Sequence, residues 1–294
     1  MSGRKIFIYL ISEVDKVEIG CNTVDFRKYP LETALEKIAN AGYEYVEVEG
    51  NLSWCPHADP YKDDPIRFKE KINNFGFEGV SAIGIHRELI TDKYAVKDIH
   101  QGIVWGKAAE IPIVLTGEGR LPQGMTEEEG LEILKPRLEK IIEKAEEESI
   151  YLAIETHGSI SLSPGGLPKI LSLVSSKWLG VNFDTANPHR GDYVGTSREG
   201  YAWKLDGAKR GDEVATLIPV AHYVKHVHIK DVVGRRAVTL GQGEVNLKEC
   251  LQILKQNNYE GVLSYETEGE DPLEISQRMI EESRRYLMQL LEEL

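Results

Sequence analysis

Short runs of continuous or alternating apolar residues recur near residues 5–11, 43–49, 78–83, 111–116, 150–155, 179–184, 224–230 and 261–266. Each has the length and the β-branched or aromatic content of a strand. Between them, apolar positions return every three or four residues. Pro30 opens LETALEKIANA, where Leu31, Ala34, Leu35 and Ile38 share one face and Gly42 closes the segment. The same period predicts helices over 65–74, 95–110, 126–148, 166–176, 211–222 and 247–257, and a long amphipathic one over 272–294. Eight strand–helix alternations without a break in composition predict an α/β fold, a single closed (β/α)8 TIM barrel spanning 1–294. An open doubly wound sheet is the architectural competitor. It normally carries a Gly-rich turn after its first strand, and none follows the run at 5–11.

Strand parity supports closure. In YVEVE, Val46 and Val48 oppose Glu47 and Glu49; in VNFD, Val181 and Phe183 oppose Asn182 and Asp184. In HVHI, Val227 and Ile229 oppose His226 and His228, and in LSYE, Leu263 and Tyr265 oppose Ser264 and Glu266. A period of two makes each split a choice of sheet face, so the apolar side should meet the helices and the polar side the lumen. Active sites of such barrels sit at the C-terminal ends of the strands.

Four side chains stand at those ends: Glu155, Asp184, His228 and Glu266. One acidic strand end is usually just solvated. Several carboxylates crowded into one lumen repel each other unless a cation or shared protons compensate. Three oxygens and one nitrogen suit one divalent metal ion, Mn²⁺ first, then Mg²⁺ or Co²⁺, with Zn²⁺ as a further candidate, and leave positions for substrate oxygens. His226 competes with His228 as the nitrogen ligand, but His228 lies nearer the strand end, which leaves His226 a supporting role beside Asn182 and Ser264.

Composition narrows the partners. Lys and Arg number 35 against 48 Asp and Glu, a net charge of −13, which argues against a nucleic-acid backbone. No run approaches the roughly 18 apolar residues of a membrane span. The opening MSGRKIFIYLISEVD is interrupted at Ser12–Glu13, too early for a signal segment, and reads as the first strand. Cys21, Cys55 and Cys250 show neither zinc nor redox spacing. A soluble cytoplasmic protein is expected.

The Glu of AIETHG, the Asp of NFDTANPHRGD, the first His of HIKD followed by LGQGEVN, and the terminal Glu of SYETEG form an ordered quartet. With it the chain resembles the xylose-isomerase-like barrels, which include sugar and sugar-phosphate isomerases and epimerases, inosose dehydratases and endonuclease IV. The resemblance covers almost the whole chain. It implies Glu155, Asp184, His228 and Glu266 as ligands of one metal, with Glu155 and Glu266 also moving protons. Three residues after the Asp, the family often has His; this chain has Asn187, with His189 two further on. Endonuclease IV needs an Asp-x-His after the HxxD segment, and VVGRR (232–236) stands there instead.

Around the predicted mouth, His86, Glu118 and His157 are candidates to hydrogen-bond sugar hydroxyls, as are Asn187 and His189. Trp54, in the loop after Glu49, is a candidate to stack on a sugar face. Arg235 and Arg236 are the candidates for an anionic substrate group, with surface arginine as the plain alternative. Gly241 and Gly243 read as turn residues and not as a phosphate cradle, which favours an unphosphorylated sugar. The expected activity is a metal-dependent isomerase or 3-epimerase acting on a keto sugar or polyol derivative through an enediolate. A lyase or dehydratase acting on an inosose or 3-keto glycoside in the same site, and a non-catalytic sugar-binding barrel, are the alternatives. The segment 273–294 fits either the bottom of the barrel or a second subunit, which leaves a homo-oligomer open.

Overall fold

Alternation of strand and helix along the chain is realised as a barrel in the computed structural model, which describes residues 17–50, 52–162, 165–191, 193–196, 201–204, 211–267, 269 and 271–294. The first half holds β1 (Glu18–Asn22), α1 (Leu31–Asn40), β2 (Tyr45–Glu49), α2 (Pro65–Asn74), β3 (Gly79–Glu88), α3 (Ala95–Ala108), β4 (Ile113–Gly117) and α4 (Glu127–Glu148). Then come β5 (Tyr151–Glu155), α5 (Gly166–Leu171), β6 (Leu179–Asp184), α6 (Ala186–Arg190) and a hairpin of β7 (Tyr193–Thr196) and β8 (Tyr201–Lys204). The last third holds α7 (Glu213–Leu217), β9 (Val224–Ile229), a hairpin of β10 (Asp231–Val233) and β11 (Arg236–Val238), α8 (Leu247–Gln256), β12 (Val262–Tyr265) and α9 (Leu273–Glu292).

Eight parallel strands close in the order β1-β12-β9-β6-β5-β4-β3-β2, and β1 pairs with both β12 and β2. Closure excludes the open sheet. The expected strand at 5–11 lies outside the described residues, and the first stave is Glu18–Asn22. That stave is easy to pass over, because its five residues EIGCN include a glycine and an asparagine, both poor strand formers. They are there for a reason. A Cβ on Gly20 would lie 2.8 Å from Val262, and Asn22 faces the lumen.

Two expected helices are shorter than their apolar pattern. The 166–176 segment is helical only over Gly166–Leu171, before the polar SSK stretch. The 211–222 segment is α7 followed by a 3₁₀ turn, Ile218–Tyr223, which Pro219 favours by removing a helix donor. Elsewhere the caps match the pattern. Thr126 and Glu129 form a reciprocal capping box on α4, and Asp64 caps α2 ahead of Pro65.

The core is a sleeve between strands and helices. Val46, Val48, Ile154, Val181, Phe183, Val227 and Ile229 are wholly buried there, each contributing roughly 1.5–3 kcal/mol. Inside the barrel, Ala82, Ile113, Leu115 and Ala153 form a separate apolar plug. The next inward positions along the same strands are Gly84, Gly117 and Glu155, so a polar layer rests on that plug toward the C-terminal ends. Among the described residues, no helix is long and apolar enough to cross a membrane.

Candidate metal centre

Four strands bring the quartet around His228, with Glu155 and Asp184 grouped on it and Glu266 grouped with Glu47 and Glu49. Glu155 ends β5, Asp184 ends β6, His228 is the penultimate residue of β9, and Glu266 directly follows β12. His228 Nδ1 lies 3.3 Å from Glu155 Oε1, 3.0 Å from Glu266 Oε2 and 3.9 Å from Asp184 Oδ2. Ligand atoms of Glu155, Asp184 and His228 all lie within 4.8 Å of one another. Each of the four side chains is buried. Asp184 is oriented by its Oδ1, which accepts the Ala186 and Asn187 amides at 2.8 and 2.7 Å and leaves Oδ2 turned inward.

The electrostatics mark an excess of negative charge. Burial raises Glu155, but His157 and His228 outweigh it and hold its carboxyl well below the usual range. Glu266 goes the other way: burial lifts it to about 7, only partly offset by His228 and Lys230. Burial lowers His228, yet Glu266, Glu47 and Glu155 together carry it well above an ordinary imidazole. A field that holds an extra proton on a buried imidazole is one that attracts a divalent cation. One buried oxygen each of Glu47, Glu49, Glu155 and Asp184 makes no aligned hydrogen bond among the described residues and has only ion-pair contacts, with His226, His86, His157 and Lys230 respectively. Leftover carboxylate oxygens around one nitrogen fit a hard or borderline divalent ion.

Residues 35–290 match the model of the xylose isomerase-like TIM barrel family. The chain belongs to that family. A D-tagatose 3-epimerase-like protein superposes with a TM-score of 0.73 at 20% identity, over 94% of this chain and 97% of the other. The IolI protein with a bound zinc atom gives 0.73 at 16% identity, over 94% and 99%. An uncharacterized protein of Methanocaldococcus jannaschii is 23% identical over 266 residues, 86% of this chain and 84% of its own length.

On this xylose isomerase-like frame, several groups that the motifs do not mark hold the quartet in place. Glu47, wholly buried on β2, accepts from His228 Nε2 at 2.8 Å, which turns Nδ1 to the carboxylates. Asn22 Nδ2 lies 2.9 Å from Glu47, 3.2 Å from Glu49 and 3.0 Å from Glu266, tying three acids together. His226, pushed down by burial to about 4, stays neutral; its Nδ1 donates to Asn182 Oδ1 at 3.0 Å and its Nε2 accepts from Ser81 at 3.2 Å. Lys230 Nζ donates to Glu266 Oε1 at 2.6 Å and lies 2.9 Å from Asp184 Oδ2. Parity of YVEVE is the one sequence signal that points to Glu47 and Glu49; Asn22 and Lys230 had none.

The remaining candidates divide. His157 and His86 join the quartet: His157 Nδ1 is 3.0 Å and His86 Nδ1 3.5 Å from Glu155 Oε2. Burial lowers His86, but Glu49 and then Glu155 carry it up to about 9. Glycines make the room, since a Cβ on Gly117 would lie 2.2 Å from His157 and one on Gly84 2.4 Å from Glu49. Asn187 is buried beside Asp184 and accepts from Arg190 at 2.8 Å. His189 faces Glu213 at 2.8 Å. Glu118 Oε1 accepts the Ile160 and Ser161 amides, holding the loop after β5. Trp54 packs against the cluster of Val24, Leu52 and Cys55, with the Arg27 guanidinium 5.6 Å over its ring. Arg235 is exposed at the β10–β11 turn, where its carbonyl accepts from Arg190. The neighbouring Arg236 pairs with Asp271 at 2.8 Å. The Asp of HIKD collects the Val232, Gly241, Gly243 and Val245 amides at 2.9–3.1 Å. The backbone donors that could cradle a phosphate in that loop are therefore engaged by Asp231.

Proposed function

We propose that this chain is a divalent-metal-dependent isomerase or 3-epimerase acting on an unphosphorylated keto sugar or close polyol derivative through an enediolate. One observation carries the proposal: oxygens of Glu155, Asp184 and Glu266 converge on Nδ1 of one buried imidazole. The 3-epimerase-like and zinc-bound structural relatives support it, as does the engagement of the Gly241–Val245 amides by Asp231.

Glu155, Asp184, His228 and Glu266 would hold the ion, Mn²⁺ first among the candidates. When bound, the ion would draw electrons from a substrate carbonyl and its neighbouring hydroxyl and acidify the carbon between them. Glu155, kept anionic by His157 and His228, takes the proton from that carbon. Glu266, on the other side of the lumen, serves the return step. The two carboxylates come from β5 and β12, which are separated in the barrel by β6 and β9, so they reach the lumen from different sides. His86 and His157, beside Glu155, would meet substrate hydroxyls, and Asn187 and His189 would do so on the Asp184 side. Trp54 and Arg235 belong to the loop regions around the rim.

A panel of keto sugars incubated with the Mn²⁺-loaded protein in D₂O tests this. Deuterium should enter at the carbon alpha to the carbonyl with the molecular formula otherwise unchanged. Glu155→Gln should slow the exchange by at least about a hundredfold. Loss of water or of an aglycone would assign the site to elimination instead. Sugar binding without any exchange would leave a non-catalytic barrel.

A further inference from the structure

Lys230 is a cation buried against the ligand set. It follows β9 two residues after His228, and its side chain is 3% exposed. Thr185 fixes its backbone from both sides: Lys230 N donates to Thr185 Oγ1 at 2.9 Å, and the Thr185 hydroxyl donates to the Lys230 carbonyl at 2.7 Å. From that anchor the ammonium reaches Glu266 Oε1 at 2.6 Å and Asp184 Oδ2 at 2.9 Å. The division of labour on Glu266 is informative. Oε2 is the oxygen 3.0 Å from His228 Nδ1, while Oε1 belongs to the lysine. On Glu266 the ammonium therefore takes the oxygen turned away from His228, whereas on Asp184 it sits on Oδ2, the oxygen turned inward.

A buried lysine in this position changes the charge balance. Glu155, Asp184 and Glu266 carry three negative charges when ionised. Lys230 offsets one of these three charges within the proposed ligand set. Without the lysine, the buried carboxylates of Asp184 and Glu266 would share only His228 as a nearby positive group when the ion is away.

We infer that Lys230 is a permanent counter-ion of the metal centre, holding Asp184 and Glu266 assembled in the metal-free chain and keeping the divalent ion weakly enough bound to exchange. The inference rests on the metal reading of the site. It gives the lysine two effects of opposite sign: it stabilises the empty protein, and it opposes the incoming cation.

The experiment uses the full chain, stripped with EDTA and dialysed, in three forms: parent, Lys230→Met and Lys230→Gln. Mn²⁺ is titrated by calorimetry, and each metal-free form is melted. Both neutral variants should bind Mn²⁺ at least about tenfold more tightly than the parent, because a like charge a few ångströms from the ion has been removed. Both should also melt lower than the parent without metal and gain more from Mn²⁺. Variants that fold only when Mn²⁺ is present support the same conclusion. Equal or weaker Mn²⁺ binding by folded variants overturns it, as does failure to fold with or without the ion. If the parent binds neither Mn²⁺ nor Zn²⁺, the metal reading falls and the counter-ion role falls with it.

Discussion

The lumen has two arcs of equally buried polar groups that serve different ends. On one, β5, β6, β9 and β12 bring Glu155, Asp184 and Glu266, the proposed carboxylate ligands, around His228. On the other, β1, β2 and β3 bring Asn22, Glu47, Glu49 and His86, which contact the proposed ligands His228, Glu266 and Glu155. Burial does not separate the arcs: Asp184 and Glu47 are both 0% exposed. The separation lies in what each group's polar atoms are engaged with. Glu47 uses an oxygen to orient the His228 ring, and Asn22 uses one amide to hold three acids. Whether a buried lumen carboxylate is a proposed ligand or the partner of one is told by its neighbours and not by its burial.

Substitution should expose that division as a gradient. The largest effect belongs to the converging arc. His228→Ala removes the one nitrogen on which three carboxylates close and should reduce Mn²⁺ affinity beyond calorimetric detection. An affinity within tenfold of the parent would mean that the ion, if any, sits elsewhere. The supporting arc should give an intermediate loss. Glu47→Gln keeps the shape but weakens the acceptor behind His228 Nε2, and removing such a partner typically costs 10–100-fold in metal affinity. An equal loss in both variants would erase the distinction between the arcs.

The same contrast explains what could be read from the chain. The proposed ligands were legible because each stands at or beside the end of a run whose apolar face is obvious, as Asp184 ends LGVNFD. The barrel was legible for the same reason. The first stave was not, because EIGCN gives up strand-forming residues to let Val262 approach Gly20 and to put Asn22 among the acids. Asp231 stands in a motif but acts on a loop, gathering four amides. Its role depends on a chain reversal some ten residues away, and no local pattern encodes that. Lys230 reads as an ordinary charged residue after a strand. Only the packing of β6, β9 and β12 makes it a buried cation.

The smallest expected effect lies at the outer edge of the supporting arc and concerns stability. Asp25 follows β1 in a 3₁₀ turn, fully packed, and accepts from the Thr267 hydroxyl at 2.9 Å beside Glu266. Burial drives its pKa up to about 8; the Thr267 hydrogen bonds oppose the rise, Glu266 adds to it and Lys230 reduces it. The unfolded chain would release this proton near an ordinary aspartate's pKa of about 3.9, whereas the folded chain keeps it until about 8. Between those values the unfolded state binds fewer protons, so stability falls as pH rises through that window and levels off above it. Asp25→Asn keeps an oxygen for Thr267 and removes the ionisation. In EDTA, its melting temperature should therefore decline less than the parent's between pH 5 and 8. Each kcal/mol recovered should appear as roughly 2–4 °C at the upper end. Parallel pH profiles for the two proteins would mean that Asp25 ionises as freely in the fold as out of it. The Thr267 donors would then outweigh burial at this position, and the supporting arc would be held by charge at its edge as well as at Glu47.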